Sequence, residues 1–181
     1  MGFAQRKHLA AGVALLLALS CAPVPPQLSR NQEVYERALS ALFREDVDVG
    51  RPRTVHVLRS SDSLARLPDS SYRGRSSDSS GPRMVWGDVP RQLRDSFHEM
   101  VSRSRSVAAR DLPPHVQLGG GDESRGSLVS LSPIAFTADS NQALVYVGVH
   151  CGGLCGGADI VYLRRANAGW TIAATFPMWR S

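Results

Sequence analysis

The sequence predicts an α+β fold, in which two helices pack on an antiparallel, mainly C-terminal meander sheet of about four or five strands. Helical periodicity is confined to the chain before residue 110, whereas strand-forming segments joined by short turns fill the region after it. The 181 residues suffice for one domain with a hydrophobic core, so a single domain is expected over residues 31–181.

The two predicted helices run from Asn31 to Arg44 and from Asp88 to Val107. Asn31 and Asp88 are candidate caps, and Pro90 is tolerated in a first turn. Each helix carries apolar residues at the spacing of one helical face: Tyr35, Ala38, Leu39 and Leu42 in the first, and Leu93, Phe97, Met100 and Val101 in the second.

Five segments are predicted as strands: Thr54–Leu58, Ser127–Thr137, Ala143–His150, Asp159–Arg165 and Trp170–Trp179. Asp139-Ser140-Asn141 and Asn167-Ala168-Gly169 join neighbouring segments, and such short connections indicate antiparallel pairs. The spacing predicts that Trp170, Ile172, Ala174 and Phe176 share a strand face. Both helices are expected on one face of the sheet.

Two segments are predicted as loops, because their composition shifts to polar residues, glycine and proline. The first covers 59–83, is rich in Ser, Asp and Arg, and is expected to be mobile. The second covers 112–124 and contains two prolines and three consecutive glycines.

The first 20 residues read as an export signal. Arg6 and Lys7 form a basic start, residues 9–19 are apolar, and small residues precede Cys21. The apolar run is about half of the roughly 20 residues that a bilayer crossing needs, so it favours a cleaved signal peptide over a membrane helix.

Leu17-Ala18-Leu19-Ser20-Cys21 resembles a bacterial lipobox, where lipoprotein signal peptidase cuts the chain once the cysteine has been diacylated. The resemblance implies that Cys21 is a lipidation site, and that residues 21–30 form an anchor followed by a stiff proline-rich tether. Ala22 after the cysteine implies the outer membrane if the organism is Gram-negative. The alternative is an ordinary cut after Ser20 and a secreted or periplasmic soluble protein, with Cys21 available for a disulfide.

The charge of the mature chain gives no nucleic-acid signature. Arg6 and Lys7 would leave with the signal, so the formal net charge falls from +5 to +3. The membrane, through the lipid anchor, is the expected partner, together with an envelope protein or a small ligand that the sequence does not identify. No nucleic acid and no cofactor are expected.

His150-Cys151-Gly152-Gly153-Leu154-Cys155-Gly156-Gly157 lies between two predicted strands. The glycines allow a sharp turn that brings Cys151 and Cys155 together, and outside the cytoplasm a disulfide is the default outcome. Three alternatives stay open: a thiol redox pair, a metal site that would add His150, Asp159 or His115, and a candidate ligand loop. In that loop the amides of Gly152, Gly153, Gly156 and Gly157 beside His150 would form a nest for an anion.

This cysteine segment and the later Gly169-Trp170 are similar to a pattern in uncharacterised secreted or lipid-anchored bacterial proteins. In that family a C-G-x-L-C-G-x-G stretch sits between strands and an L-x-K-x-x-G-x-W hairpin follows; Ala158 and Arg164 depart from the pattern. The resemblance covers roughly the last third of the chain. It implies the strand arrangement and a common role for the cysteines, and it brings no reaction.

The sequence therefore favours a non-enzymatic cell-envelope lipoprotein with a binding or structural role. It contains no G-x-S-x-G turn, no phosphate-binding G-x-x-x-x-G-K-[ST], no H-E-x-x-H and no G-x-G-x-x-G. Catalytic residues and metal ligands are accordingly not assigned. The alternative is an envelope thiol-redox or metal-dependent protein that uses the Cys151/Cys155 loop.

Overall fold

The computed structural model describes residues 27–42, 55–58, 67–76, 83–103, 107–118, 128–150 and 156–180. The predicted signal peptide, Cys21 and the prolines of the tether lie outside the described residues, as do Cys151, Gly152, Gly153 and Cys155. The helices and strands are, in chain order, α1 (Arg30–Leu42), β1 (Val55–Leu58), β2 (Arg75–Ser76), α2 (Arg91–Ser102), β3 (Val116–Leu118), β4 (Leu128–Leu131), β5 (Ala135–Phe136), β6 (Gln142–His150), β7 (Gly156–Ala166) and β8 (Gly169–Arg180).

In the described part of the chain, all strands belong to one sheet with the order β2-β8-β7-β6-β4-β1-β3, and β5 also pairs with β6. The pairs among β4 to β8 are antiparallel, which confirms the α+β class and the C-terminal meander. β1 is parallel to both β3 and β4, because the long chain segment that follows β1 and contains α2 returns to the same end of the sheet. The short strands β2 and β3 extend the sheet beyond the predicted segments.

The two helices lie on opposite faces of the sheet, so the prediction that both share one face is wrong. α1 packs with Ala143, Val145 and Val147 of β6. α2 packs with Leu144 and Tyr146 of the same strand. Since successive side chains of a strand point to opposite faces, the molecule has three layers with a core on each side of the sheet.

A β-bulge at Ala173 also corrects the predicted face of β8. The register passes from Leu163 opposite Ile172 to Tyr162 opposite Ala174, so Ala173 has no partner on β7. The extra residue reverses the alternation. Trp170 and Ile172 therefore pack in the α1 core, whereas Ala174 and Phe176 pack in the α2 core.

α1 begins one residue earlier than predicted, and Ser29 rather than Asn31 caps it. The Gln32 amide donates to Ser29 Oγ over 3.3 Å, and the Ser29 amide donates to Gln32 Oε1 over 2.8 Å. This reciprocal pair is a capping box. α2 begins at Arg91, because Trp86–Asp88 forms a separate 3-10 turn before Pro90.

Parts of both predicted loops are strands. Within 59–83, β2 pairs with β8 at Thr175 and Ala174, and Arg73 bridges to Val85. Within 112–124, β3 pairs with β1. These strands are only two and three residues long, too short for an alternating pattern to identify a strand, so their pairing depends on neighbours that are distant in sequence.

Both predicted C-terminal turns are present. Asn167 and Ala168 join β7 to β8, and Gly169 at the start of β8 has a φ of +111°, which a residue with a Cβ rarely adopts. The other turn lies between β5 and β6, where Asp139 accepts hydrogen bonds from Thr137 Oγ1 and the Asn141 amide. None of the helices in the described residues is long and apolar enough to cross a membrane.

Tyr35 connects α1 to the centre of the sheet. Its side chain is buried, and its hydroxyl donates to the Ser132 carbonyl over 3.0 Å. Ser132 in turn accepts a hydrogen bond from the Tyr146 amide through its Oγ. Burial, with a smaller contribution from the Asp111 carboxylate, raises the pKa of Tyr35 far above its ordinary value of 10.0.

This shift predicts a loss of stability in alkali. The unfolded chain ionises Tyr35 near pH 10 while the folded chain keeps it protonated, so the stability from this group is complete below about pH 10 and falls as the pH rises. Ionisation of Tyr35 in the unfolded chain should lower the free energy of unfolding by up to about 1.4 kcal/mol for each pH unit above pH 10. Urea unfolding at several pH values measures this decline. Tyr35→Phe should lose less stability over the same range than the parent, and parallel profiles would contradict the assignment.

Candidate functional site

The connection predicted to carry the site joins β6 to β7 at one end of the sheet. Its last described rungs pair Val149 with Gly157 and His150 with Gly156. The five residues between them lie outside the described residues. Backbone pairing thus brings His150 and Gly156 together, and the disulfide between Cys151 and Cys155 stays a prediction.

The side chains of Trp179 and Arg180 lie against the two glycines that begin β7. A Cβ on Gly156 would stand 2.8 Å from the Val149 carbonyl oxygen and 3.0 Å from the Trp179 ring. A Cβ on Gly157 would stand 2.8 Å from Arg180 Cδ. These distances are shorter than normal van der Waals contacts. Close packing therefore explains both glycines, which the sequence placed in a candidate ligand loop.

A second bulge in β8 directs Trp179 to this position. Asp159 lies opposite Pro177 and Ala158 opposite Trp179, so Met178 is the extra residue. The Trp179 indole Nε1 donates to the Tyr146 hydroxyl over 3.3 Å. The Tyr146 side chain in turn lies against Gly148, where a Cβ would stand 3.1 Å from its hydroxyl. Two aromatic residues thus cover the backbone of β6 and β7 beside the connection.

On the other face of the sheet, Asp159 and Arg180 form an ion pair. Asp159 is 5% exposed, and Arg180 Nη2 donates to its Oδ1 over 2.6 Å. Arg180 Nη1 donates to the carbonyl oxygens of Ala158 and Trp179 over 2.8 and 2.7 Å. Both terminal nitrogens of the guanidinium thus bind groups within the sheet. This arrangement fastens the end of β8 to β7.

The structure separates the residues considered as metal ligands. Asp159 lies on β7, whereas His115 precedes β3 at the edge of the sheet, and three strands, β6, β4 and β1, lie between β7 and β3. His115 Nε2 lies 3.4 Å from Glu36 Oε2 of α1. Within the described ranges, no three His, Cys, Asp or Glu side chains are close enough to hold one ion.

Sequence reasoning did not identify Tyr146, Trp179 or Arg180 as residues of this end. Paired glycines at the start of a central strand are a usable signal, because they indicate close approach of a bulky neighbour. The partner that fills the space is set by the bulge at Met178, which directly follows Pro177; a proline within a strand indicates a bulge or a sheet edge. No protein-family model matches the chain, and neither a curated protein sequence nor a solved structure is significantly similar to it.

Proposed function

We propose that the chain is a non-enzymatic lipoprotein of the cell envelope, held by an acylated Cys21, whose α+β domain has a binding or structural role. The observation that carries the proposal is the order of segments at the N-terminus. An export signal, a lipobox and a proline-rich tether are followed directly by the capping box of α1 at Ser29, three residues after Pro26. The tether thus enters the folded domain without an intervening segment.

A disulfide between Cys151 and Cys155 closes the β6–β7 connection in this proposal. The pairing of His150 with Gly156, continued by one residue, would set the two cysteines opposite each other. Opposite residues of antiparallel strands have Cα atoms about 4.5–5.5 Å apart, a separation that a disulfide spans. Forming it removes two electrons and two protons from the thiols, which an envelope thiol oxidant accepts.

A second function, an envelope thiol-redox or metal-dependent protein, is favoured by one feature of the same connection. His150 occupies the last rung of the β6–β7 hairpin and is adjacent to Cys151. A neighbouring imidazolium lowers the pKa of a thiol, and neutral imidazole is a metal ligand. This function requires free or readily reduced thiols, or a metal that purifies with the protein.

Cys21→Ala tests the anchor. The variant should leave the membrane fraction of its native host, because a single lipid-modified residue is the proposed attachment. The parent should carry a diacyl or triacyl group on Cys21 by intact mass. The Cys151→Ala/Cys155→Ala double variant is the matched control and should stay with the membranes. An unmodified Cys21, or a Cys21→Ala protein that a high-salt wash does not release from the membranes, would contradict the anchor.

Alkylation of the same preparation, before and after reduction, separates the two functions. Labelling of Cys151 and Cys155 only after strong reduction supports the disulfide. Labelling without reduction, reversible oxidation by mild reagents or a bound metal supports the second function instead.

A further inference from the structure

Three exposed arginines surround the end of the sheet opposite the β6–β7 connection. Arg30 is the first residue of α1, and Arg164 and Arg165 stand near the end of β7. We call this set the basic tip. None of the three forms an ion pair with a carboxylate in the part of the chain that the structure describes.

Arg30 and Arg165 lie on the α1 side of the basic tip. The Arg30 guanidinium stands 4.2 Å from the centre of the Phe136 ring, and its Nη1 donates to Ser140 Oγ over 2.9 Å. Arg165 lies opposite Trp170, whose ring centre is 5.8 Å from that of Phe136. Two aromatic rings in contact with each other thus lie on this side of the tip, one beside each arginine.

Arg164 lies on the other side of the tip. Its Nε donates to the Tyr162 hydroxyl over 3.0 Å, and its guanidinium stands 5.1 Å from the centre of the Tyr162 ring. Like Arg30, it is held by an aromatic side chain while its charge stays exposed. The tip therefore presents cations on both faces of the sheet.

Three carboxylates near the tip oppose this charge. Hydrogen bonds from Thr137 and Asn141 lower the pKa of Asp139, so the turn carries one negative charge. Glu33 lies in the first turn of α1, and Asp111 accepts a hydrogen bond from Asn31 Nδ2 over 3.1 Å. The positive end of the α1 dipole points toward the same end of the domain and adds to the attraction for anions.

The tether joins the domain at the tip, because Arg30 is the first residue of α1 and directly follows the cap Ser29. Arg30 lies nine positions after Cys21, so at about 3.1 Å per residue an extended proline-rich chain between them spans roughly 28 Å. β6 alone has nine residues and spans roughly 30 Å at about 3.3 Å per residue. The connection with Trp179 and Arg180 therefore lies about one strand length from the point where the tether enters the domain.

We propose that the basic tip contacts the phosphate groups of anionic phospholipids in the membrane that holds Cys21. The inference rests on the proposed lipid anchor and adds its orientation. The β6–β7 connection then faces away from the membrane, where an envelope partner can reach it. Charge complementarity selects phospholipid phosphate as the occupant, since the tip offers three guanidinium groups with free donors.

Vesicle binding of the mature chain with Cys21→Ser tests the tip without the anchor. The protein should bind phosphatidylcholine vesicles that contain phosphatidylglycerol more tightly than pure phosphatidylcholine vesicles, and added salt should release it. Arg30→Gln/Arg164→Gln/Arg165→Gln should reduce the partition coefficient by roughly fivefold per arginine, about 100-fold in total. Arg73→Gln/Arg75→Gln/Arg83→Gln removes the same charge from exposed positions near β2 and should lose far less.

A variant with lysine at the three tip positions keeps the charge, and it should bind like the parent even if the glutamine variant folds poorly. Equal losses in the two glutamine variants, or no preference for anionic vesicles, would overturn the proposal. The intact mass of the protein purified from native membranes shows whether Cys21 is acylated and tests the anchor separately. Failure of the anchor and failure of the tip are therefore distinguishable.

Discussion

Phe97→Ala is expected to lower the free energy of unfolding by about 3–5 kcal/mol. The Phe97 side chain is completely buried, on the face of α2 that packs against the sheet. Its core also contains Trp86 and Phe176, whose rings meet edge to face with centres 5.1 Å apart. Removing the ring at Phe97 takes apolar area out of this core and leaves a cavity that fixed strands cannot close. Urea unfolding monitored by circular dichroism measures the change.

His98→Ala is the matched control, because His98 is the next residue of α2 and is exposed. Its effect should stay within about 0.5 kcal/mol. Val34→Ala, in the core on the α1 side, should also destabilise and should shift the same single transition, since both cores share β6 and β7. A loss at Phe97 no larger than that at His98 would contradict the packing of α2 on the sheet.

The class of the fold and the two helices could be predicted because their signals are local. Apolar residues at helical spacing identify α1 and α2, and short turns identify the antiparallel pairs β5–β6 and β7–β8. The sides on which the helices lie could not be read from the same pattern. An apolar stripe shows that a helix packs against something and does not show which face of the sheet it meets.

A signal for two covered faces was nevertheless present in β6. From Ala143 to Val147 this strand is apolar at every position, and all five side chains are buried. Continuous apolar runs are typical of strands buried on both faces, whereas a half-exposed strand alternates with polar residues. Val145 and Val147 indicate one buried face of the strand. Leu144 and Tyr146, which alternate with them, indicate that the other face is buried as well.

The end of the sheet near the cysteines was predictable only in part. The glycines and the turn between two strands could be located, because they are local in sequence. The contacts of Trp179 and Arg180 could not be predicted, because each bulge in β8 changes the face of the sheet on which every following residue lies. Pro177 is a local signal for the second bulge, whereas the bulge at Ala173 depends on packing across neighbouring strands and has no such signal.

Arg180→Met is expected to lower the free energy of unfolding by about 3 kcal/mol, because it leaves the buried Asp159 carboxylate without its cation. Asp159→Asn should cost less, since the Arg180 side chain is 46% exposed and its charge can be hydrated. The double variant Arg180→Met/Asp159→Asn should recover part of the loss, which a double-mutant cycle in urea measures.

Arg103→Met supplies the comparison, since Arg103 pairs with Glu99 on the surface of α2, where both side chains are more than half exposed. Exposed pairs contribute about 0–1 kcal/mol, so this variant should unfold close to the parent. A cost at Arg180 no greater than at Arg103 would show that the ion pair does not fasten β8. A larger cost that the double variant partly recovers would show that the contact with Asp159 stabilises this end of β7 and β8. In the described part of the chain, only Arg180 reaches that carboxylate from β8.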